Sequence, residues 1–261
     1  MHYRGRIAPS PTGYLHLGHA RTFWIAYRRA LDARGELLLR VDDLDTQRSK
    51  PVYTQAAIED LHWLGISWSG DPVFESAHAE MYQQAFERLR ASGHIYACQC
   101  SRKDLQNIAA PHAADEDDEP VYPGTCRDQG HQTGAWRFRV PDGEVIRFED
   151  QHCGTQEFVA GKDFGDFLVM RRDSVPSYQL ACVVDDHAMR ITEVVRGRDL
   201  LKSTARQILL QRALGYASLQ YFHCDLMTDA GGARLAKRHD ALSLRMLRQQ
   251  GITPAELIAR F

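Results

Sequence analysis

The chain has 261 residues, 44% of them hydrophobic and 25% charged, and a formal net charge of −2. That composition fits a globular protein of one or two domains with a sizeable core. It gives no global pull toward nucleic acid, although a local basic face would be enough for binding. No run is apolar over the ~20 residues that a membrane span needs. The N-terminus lacks a signal-peptide pattern. A cytoplasmic protein without membrane contact is therefore expected. The six cysteines, Cys98, Cys100, Cys126, Cys153, Cys182 and Cys224, are too sparse for a disulfide scaffold.

The first organised stretch runs from Arg6 to Arg21 and carries Pro9, Ser10, Gly13, His16, Gly18 and His19. A short strand leads into a Pro-rich turn. A helix then follows, with Phe23, Trp24, Tyr27, Ala30 and Leu31 at helical spacing, and Gly35 as its stop. Leu37 to Val41 reads as a buried strand. This order is a βαβ unit. Ligands gather beyond the carboxyl ends of such strands, which places a ligand at the turn from Pro9 to His19. Asp42, Asp43 and Asp45 come directly after the second strand, and all three carboxylates are expected to face the same crevice. A solvated turn with a helix cap is the plainer alternative.

Two helices are predicted next. The first spans about Tyr53 to Leu64, with Ile58, Leu61 and Leu64 inward. The second spans about Ala79 to Ser92, with Tyr82, Ala85, Phe86 and Leu89 inward and Gly93 as its stop. From His94 the character changes. Cys98-Gln-Cys100 precedes a helical run from Arg102 to Ile108, an acidic block from Asp115 to Glu119 and the segment Tyr122 to Cys126. Short strands then follow at Trp136 to Val140, Val145 to Phe148 and Glu157 to Val159, separated by turn signals. The α/β pattern resumes around Tyr178 to His187. It continues through a strand from Ile191 to Val195, a helix from about Leu200 to Leu214 stopped by Gly215, and a strand at Tyr221 to His223. A basic loop carries Arg234, Ala236, Lys237 and Arg238. The last helix has Thr253, Pro254 and Glu256 in capping-box spacing.

Pro9-Ser-Pro-Thr-Gly13 running into His16-Leu-Gly-His19, with a late Arg-Leu-Ala-Lys-Arg loop, resembles the class I aminoacyl-tRNA synthetases. Arg40-Val-Asp-Asp-Leu-Asp45, Tyr178 with Val183 to His187, and Val195-Arg-Gly197 resemble the glutamyl branch of that family. The likeness covers about residues 4 to 240, with five motifs in order. It implies a Rossmann-like catalytic domain, with a parallel sheet and helices on both faces. It also implies a small inserted α+β zinc-containing region and no anticodon-binding domain. The expected boundaries are 1–93 for the first catalytic half, 94–172 for the insertion and 173–261 for the second half, with the late loop and terminal helices.

In such enzymes glutamate attacks the α-phosphorus of ATP and pyrophosphate leaves, which calls for positioning and charge cancellation. His16, Gly18 and His19 at a helix start suit the phosphates, and Lys237 suits the departing ones. ATP would arrive with Mg2+. The resemblance assigns Arg6, Ile7, Ala8, Pro9, Ser10, Asp42, Tyr178 and Arg196 to glutamate, with guanidinium forks for carboxylates. Asp42 stands where the family usually has glutamate, and Arg234 and Ala236 depart from its lysine and serine. The loop keeps its second lysine and loses one hydroxyl. Cys98, Cys100 and Cys126 offer three thiolates to one structural zinc, which prefers four ligands. Likeness to glutamyl-queuosine synthetases makes Tyr122 the fourth, with His112 and His131 as rivals. Asp185, Asp186 and His187 are expected to be structural or near the substrate rather than metal ligands.

After Lys237 only 24 residues follow. That brevity resembles a shortened glutamyl branch whose members attach glutamate to the queuosine base in the anticodon of tRNA(Asp). Two readings compete with it. One is a truncated enzyme charging the 3′ end of tRNA(Glu). The other is a non-catalytic nucleotide- or RNA-binding relative. No extra interface element stands out, so a monomer is expected.

Overall fold

The computed structural model describes residues 2–101, 104, 121–227 and 243–261. Strands β1 (Arg4–Ile7), β2 (Glu36–Val41) and β3 (Val73–Phe74) form one parallel sheet in that order. Between them lie helices α1 (Leu17–Asp32) and α2 (Pro51–Trp63). A short 3-10 turn leads into α3 (Ala79–Ala91). Next come β4 (Ile95–Cys98), β5 (Ala135–Phe138), the hairpin β6 (Val145–Asp150) and β7 (Gly154–Val159), and β8 (Leu168–Met170). Helix α4 (Tyr178–Ala188), β9 (Glu193–Gly197), α5 (Leu201–Leu214) and β10 (Gln220–Cys224) complete the α/β part. The chain closes with α6 (Leu244–Gln249) and α7 (Pro254–Ile258). Among the described residues no helix is long and apolar enough to cross a membrane.

Two half-sheets meet at a seam. β9 and β10 are parallel, and β10 also runs parallel to β6, whose partner β7 is antiparallel. The seam lies between β1 and β9, where Thr192 N donates to Arg4 O at 2.8 Å. Arg4 N donates in turn to Thr192 Oγ1 at 2.9 Å. Neighbouring residues of one strand point to opposite faces. Val194 thus joins one core with Leu180, Leu210 and Tyr221, while Val195 joins another with Ile7, Phe23, Leu39 and Leu61. Apolar packing on both faces is why β2 carries Leu37, Leu38 and Leu39 in succession, Leu38 against the first core and its two neighbours in the second. The stretch 94–172 is shared between two sheets. β4, β5 and β8 form an antiparallel sheet of their own, while the hairpin β6–β7 extends the edge of β10.

Two local expectations are corrected. The buried stripe of α1 is Leu17, Ala20, Phe23, Ala26 and Ala30, whereas Leu31 is 47% exposed. Small alanines let α1 lie close to the sheet, which rotates the contact face away from Leu31. The left-handed residue after α1 is Arg34 at φ 50°, not Gly35. Gly35 is needed for a different reason, since a Cβ there would sit 2.4 Å from Tyr3 O. In α2, Asp60 is 1% exposed among the inward residues, although its charge argues for the surface. The stops at Gly93 and Gly215 adopt φ values of 74° and 65° as expected. The terminal capping box forms, with Thr253 accepting from Glu256 N and Glu256 accepting from Thr253 N.

Candidate active site and cysteine cluster

A cavity of 540 Å³ opens at the carboxyl ends of β1, β2 and β9. Arg6, Ala8, Pro9, Ser10, Asp42, Tyr178 and Arg196 line it together with His16, Gly18 and His19. Of the residues assigned to glutamate and to ATP, those described thus share one chamber, Ile7 apart, which is buried in the core at the end of β1.

His16 is the N-cap of α1, and its Nδ1 accepts from Gly18 N at 3.1 Å. The ring of His19 accepts at Nδ1 from His16 N at 3.4 Å, and the two rings stack 3.6 Å apart. With both Nδ1 atoms accepting, the ring protons reside on Nε2, which makes each Nε2 a donor. Donors at the positive end of a helix are suited to phosphate oxygens. A Cβ on Gly18 would lie 3.1 Å from the His16 ring, so glycine here serves the ring's close approach.

Behind the chamber the charges are buried and paired. Arg6 and Arg40 are 4% and 0% exposed. Both donate to Asp186 Oδ1, from Arg6 Nε at 3.0 Å and Arg40 Nη1 at 2.9 Å. Burial pushes the Asp186 carboxyl up, but the two guanidiniums outweigh it and hold the group below the usual range. Arg40 also forks onto Asp42, at 2.7 and 3.2 Å. Burial nevertheless holds the Asp42 carboxyl above its ordinary range. Asp43 and Asp45 do not face the chamber as the sequence suggested. Asp43 accepts from Ser76 N and Oγ, and Asp45 accepts from Arg48 within a turn. Alternation along the chain after β2 turns them outward, and short-range turn partners satisfy them.

Arg196 is 5% exposed, with every nitrogen engaged. Nε donates to His223 Nε2 at 3.3 Å, Nη1 to Gln207 Oε1 at 2.9 Å, and Nη2 to Thr204 Oγ1 at 2.5 Å. Nη1 also lies 3.4 Å from the Tyr178 hydroxyl. Nothing in the sequence had singled out Thr204, Gln207 or His223. The cluster Asp185, Asp186 and His187 is taken up by structural partners. Asp185 accepts from Tyr82 and meets the His78 ring, each at 2.8 Å, and His187 stacks on Tyr216. Lys237, with Arg234 and Ala236, lies outside the described residues. The chain that follows it returns beside the histidine turn, where Leu244 N donates to Leu15 O at 2.8 Å.

The cysteine cluster lies between β4 and the segment that precedes β5. The sulfurs of Cys98, Cys100 and Cys126 all fall within 4.8 Å of one another. Tetrahedral zinc with sulfur ligands at ~2.3 Å sets sulfurs ~3.8 Å apart, so the spacing suits it. The Tyr122 hydroxyl is 3.5 Å from the sulfurs of both Cys98 and Cys100. Burial works against a Cys126 thiolate, but hydrogen bonds, the Tyr122 hydroxyl's foremost, bring that thiol down to about 6. Arg137 donates to Cys98 Sγ at 3.4 Å and lies over the Tyr122 ring, a cation beside the thiols that the sequence did not announce. Gly134 is required here, because a Cβ would lie 2.4 Å from Cys98 O. His131 is not part of the group, and His112 lies outside the described residues.

The family described as tRNA synthetases class I (E and Q), catalytic domain, matches residues 2–261. A relative from Symbiobacterium thermophilum named Glutamyl-Q tRNA(Asp) synthetase is 44% identical over 97% of this chain and 84% of its own length. A relative of the same name from Nitratidesulfovibrio vulgaris is 41% identical over 97% of this chain and 83% of its own. The solved glutamate-tRNA synthetase from Elizabethkingia anophelis superposes with a TM-score of 0.81 at 27% identity, over 96% of this chain. The chain spans 54% of that structure's length. On these matches the chain belongs to the class I tRNA synthetases (E and Q), and it is a ligase of the aminoacyl-tRNA synthetase type.

Proposed function

We propose that the protein activates L-glutamate with ATP and Mg2+ and transfers it to the queuosine base at the anticodon wobble position of tRNA(Asp). The observation that carries the activation half is the shared chamber: the buried guanidiniums of Arg6, Arg40 and Arg196 and the carboxylate of Asp42 line it together with the paired histidines of α1. Arg6 and Arg196 take carboxylate of the substrate, and Asp42 takes its ammonium. The Nε2 donors of His16 and His19 hold the phosphates, and the start of α1 adds its positive end. The α-carboxylate attacks the α-phosphorus, its bond to the bridging oxygen breaks, and pyrophosphate leaves toward Lys237. Catalysis is then positioning and charge cancellation rather than covalent work by a side chain. Cys98, Cys100, Tyr122 and Cys126 would hold one zinc, whose part is to fix the local fold.

The choice of acceptor rests on the relatives named Glutamyl-Q tRNA(Asp) synthetase, more than four-fifths of whose length this chain covers. A second reading, charging of the 3′ end of tRNA(Glu), is favoured by the likeness to the glutamate-tRNA synthetase structure. Two assays separate the readings. Glutamate-dependent ATP–pyrophosphate exchange without tRNA is expected, and its absence with every amino acid would point to a non-catalytic relative. Labelled glutamate is then expected on tRNA(Asp) only when queuosine is present. Label on the terminal ribose of tRNA(Glu) would overturn that assignment.

A further inference from the structure

We infer that His223 and Asp150 form a positioning pair for Arg196, fixing the imidazole in the one tautomer that can accept from the guanidinium. The inference rests on the reading that Arg196 holds a glutamate carboxylate. His223 lies on β10, is 0% exposed, and presents Nδ1 to Asp150 Oδ2 at 2.6 Å. Its Nε2 meets Arg196 Nε at 3.3 Å and Thr204 Oγ1 at 2.9 Å. An imidazole that donates from Nδ1 accepts at Nε2, and Arg196 has only donors to offer. Burial, with Arg196 next in weight, lowers the ring to about 4, so it is neutral at physiological pH.

Asp150 is itself held in place. Oδ1 accepts from the backbone N–H of His152 and Cys153, at 3.0 and 2.7 Å, and both oxygens face His223 N. The pair thus connects the end of β6 through β10 to the chamber. This gives the β6–β7 hairpin a use beyond extending the sheet edge. A positioning residue of this type acts on where the guanidinium fork points, and so on glutamate rather than on ATP.

Asp150→Asn isolates the effect. The amide keeps an oxygen for the backbone donors and turns its NH2 toward His223 Nδ1. The ring then accepts at Nδ1 and carries its proton on Nε2, so donor faces donor at Arg196. We expect KM for glutamate in ATP–pyrophosphate exchange to rise about tenfold or more, the scale of one buried charge-assisted hydrogen bond. KM for ATP should stay near wild type, while the unfolding midpoint falls, because the NH2 also replaces an acceptor of His223 N. His223→Gln has no tautomer to set and keeps an acceptor toward Arg196. In that background Asp150→Asn should add little. Equal rises in both KM values, no rise for glutamate, or full additivity in the double variant would overturn the inference. Arg196→Lys in the same assay separates the two levels. If it leaves KM for glutamate unchanged, the assignment of Arg196 itself fails. If it raises KM while Asp150→Asn does not, only the positioning pair fails.

Discussion

Glu75 is 4% exposed beside the chamber wall, 3.8 Å from Arg40 Nε, and its Oε1 has no hydrogen-bond partner among the described residues. Burial, then the neighbouring charge of Asp42, pushes its carboxyl up to about 9. The folded chain therefore holds a proton that the unfolded chain releases above pH ~4.5. Stability from this group is fully present below the unfolded value and declines as pH rises toward the folded one. Glu75→Gln removes that decline. It is expected to stabilise the protein at pH 8, relative to its effect at pH 4.5, by on the order of 2 kcal/mol. Urea unfolding at the two pH values checks this, and an equal effect at both would contradict it. Asp186 has the opposite sign. Its folded value is held down, so its contribution is present above the unfolded value and is lost as pH falls through the folded one. The sequence made Arg6, Asp42, Tyr178 and Arg196 legible because each sits in a recognisable local motif. Glu75, Asp150, Thr204 and His223 have no such signal. They reach the chamber wall only through contacts between residues far apart in the chain, and no local periodicity encodes those.

Helix positions were legible for a related reason. Amphipathic spacing and glycine stops are local, and α2, α3 and α5 begin and end within a few residues of expectation. Sheet partners are not local, so the pairing of β6 with β10 could not be read. The late loop shows the same divide. Its lysine is readable, whereas the return of the chain to the histidine turn shows in the bond from Leu244 to Leu15 and in the pairing of Ser243 with His16. With the loop's exit tied to the histidine turn, Lys237 should act on the leaving phosphates. Lys237→Ala is expected to cut kcat of exchange by about a hundredfold, the scale of losing one charge-stabilising group. KM for glutamate should change little, and equal losses in both would contradict the role. The cysteine cluster makes a separate test. Metal analysis is expected to find about one zinc per chain, from the preference for four ligands. Cys126→Ser should lose it, with a fall in Tm, because metal binding and local folding are coupled. A metal-free chain whose Tm ignores Cys126→Ser would remove zinc from the account.

At the scale of the whole molecule the decisive join is the seam between β1 and β9, because Arg6 and Arg196 project from the two sides of it. Little backbone pairing crosses there, and side chains supply the rest. Glu193 on β9 is 1% exposed and accepts from Arg29 Nε at 2.8 Å, Arg29 Nη2 at 2.6 Å and Tyr3 Oη at 2.7 Å. Arg29 belongs to α1, so one carboxylate ties helix, first half-sheet and second half-sheet together. Arg29→Ala would leave that carboxylate buried with only the tyrosine. Breaking a buried pair from one side costs about 3 kcal/mol, mostly the penalty of the uncompensated charge. The seam residues lie at the opposite end of β9 from Arg196, and none of Tyr3, Arg29 and Glu193 lines the chamber. Stability and catalysis should therefore separate. Unfolding should remain a single transition shifted to lower denaturant, and KM values for glutamate and ATP should hold at temperatures where the variant is folded. A biphasic unfolding curve would show instead that the two half-sheets are independent units, which the shared chamber could not survive. If glutamate binding weakened in step with stability, the spacing of Arg6 and Arg196 would depend on this pair, and the seam would be part of the site.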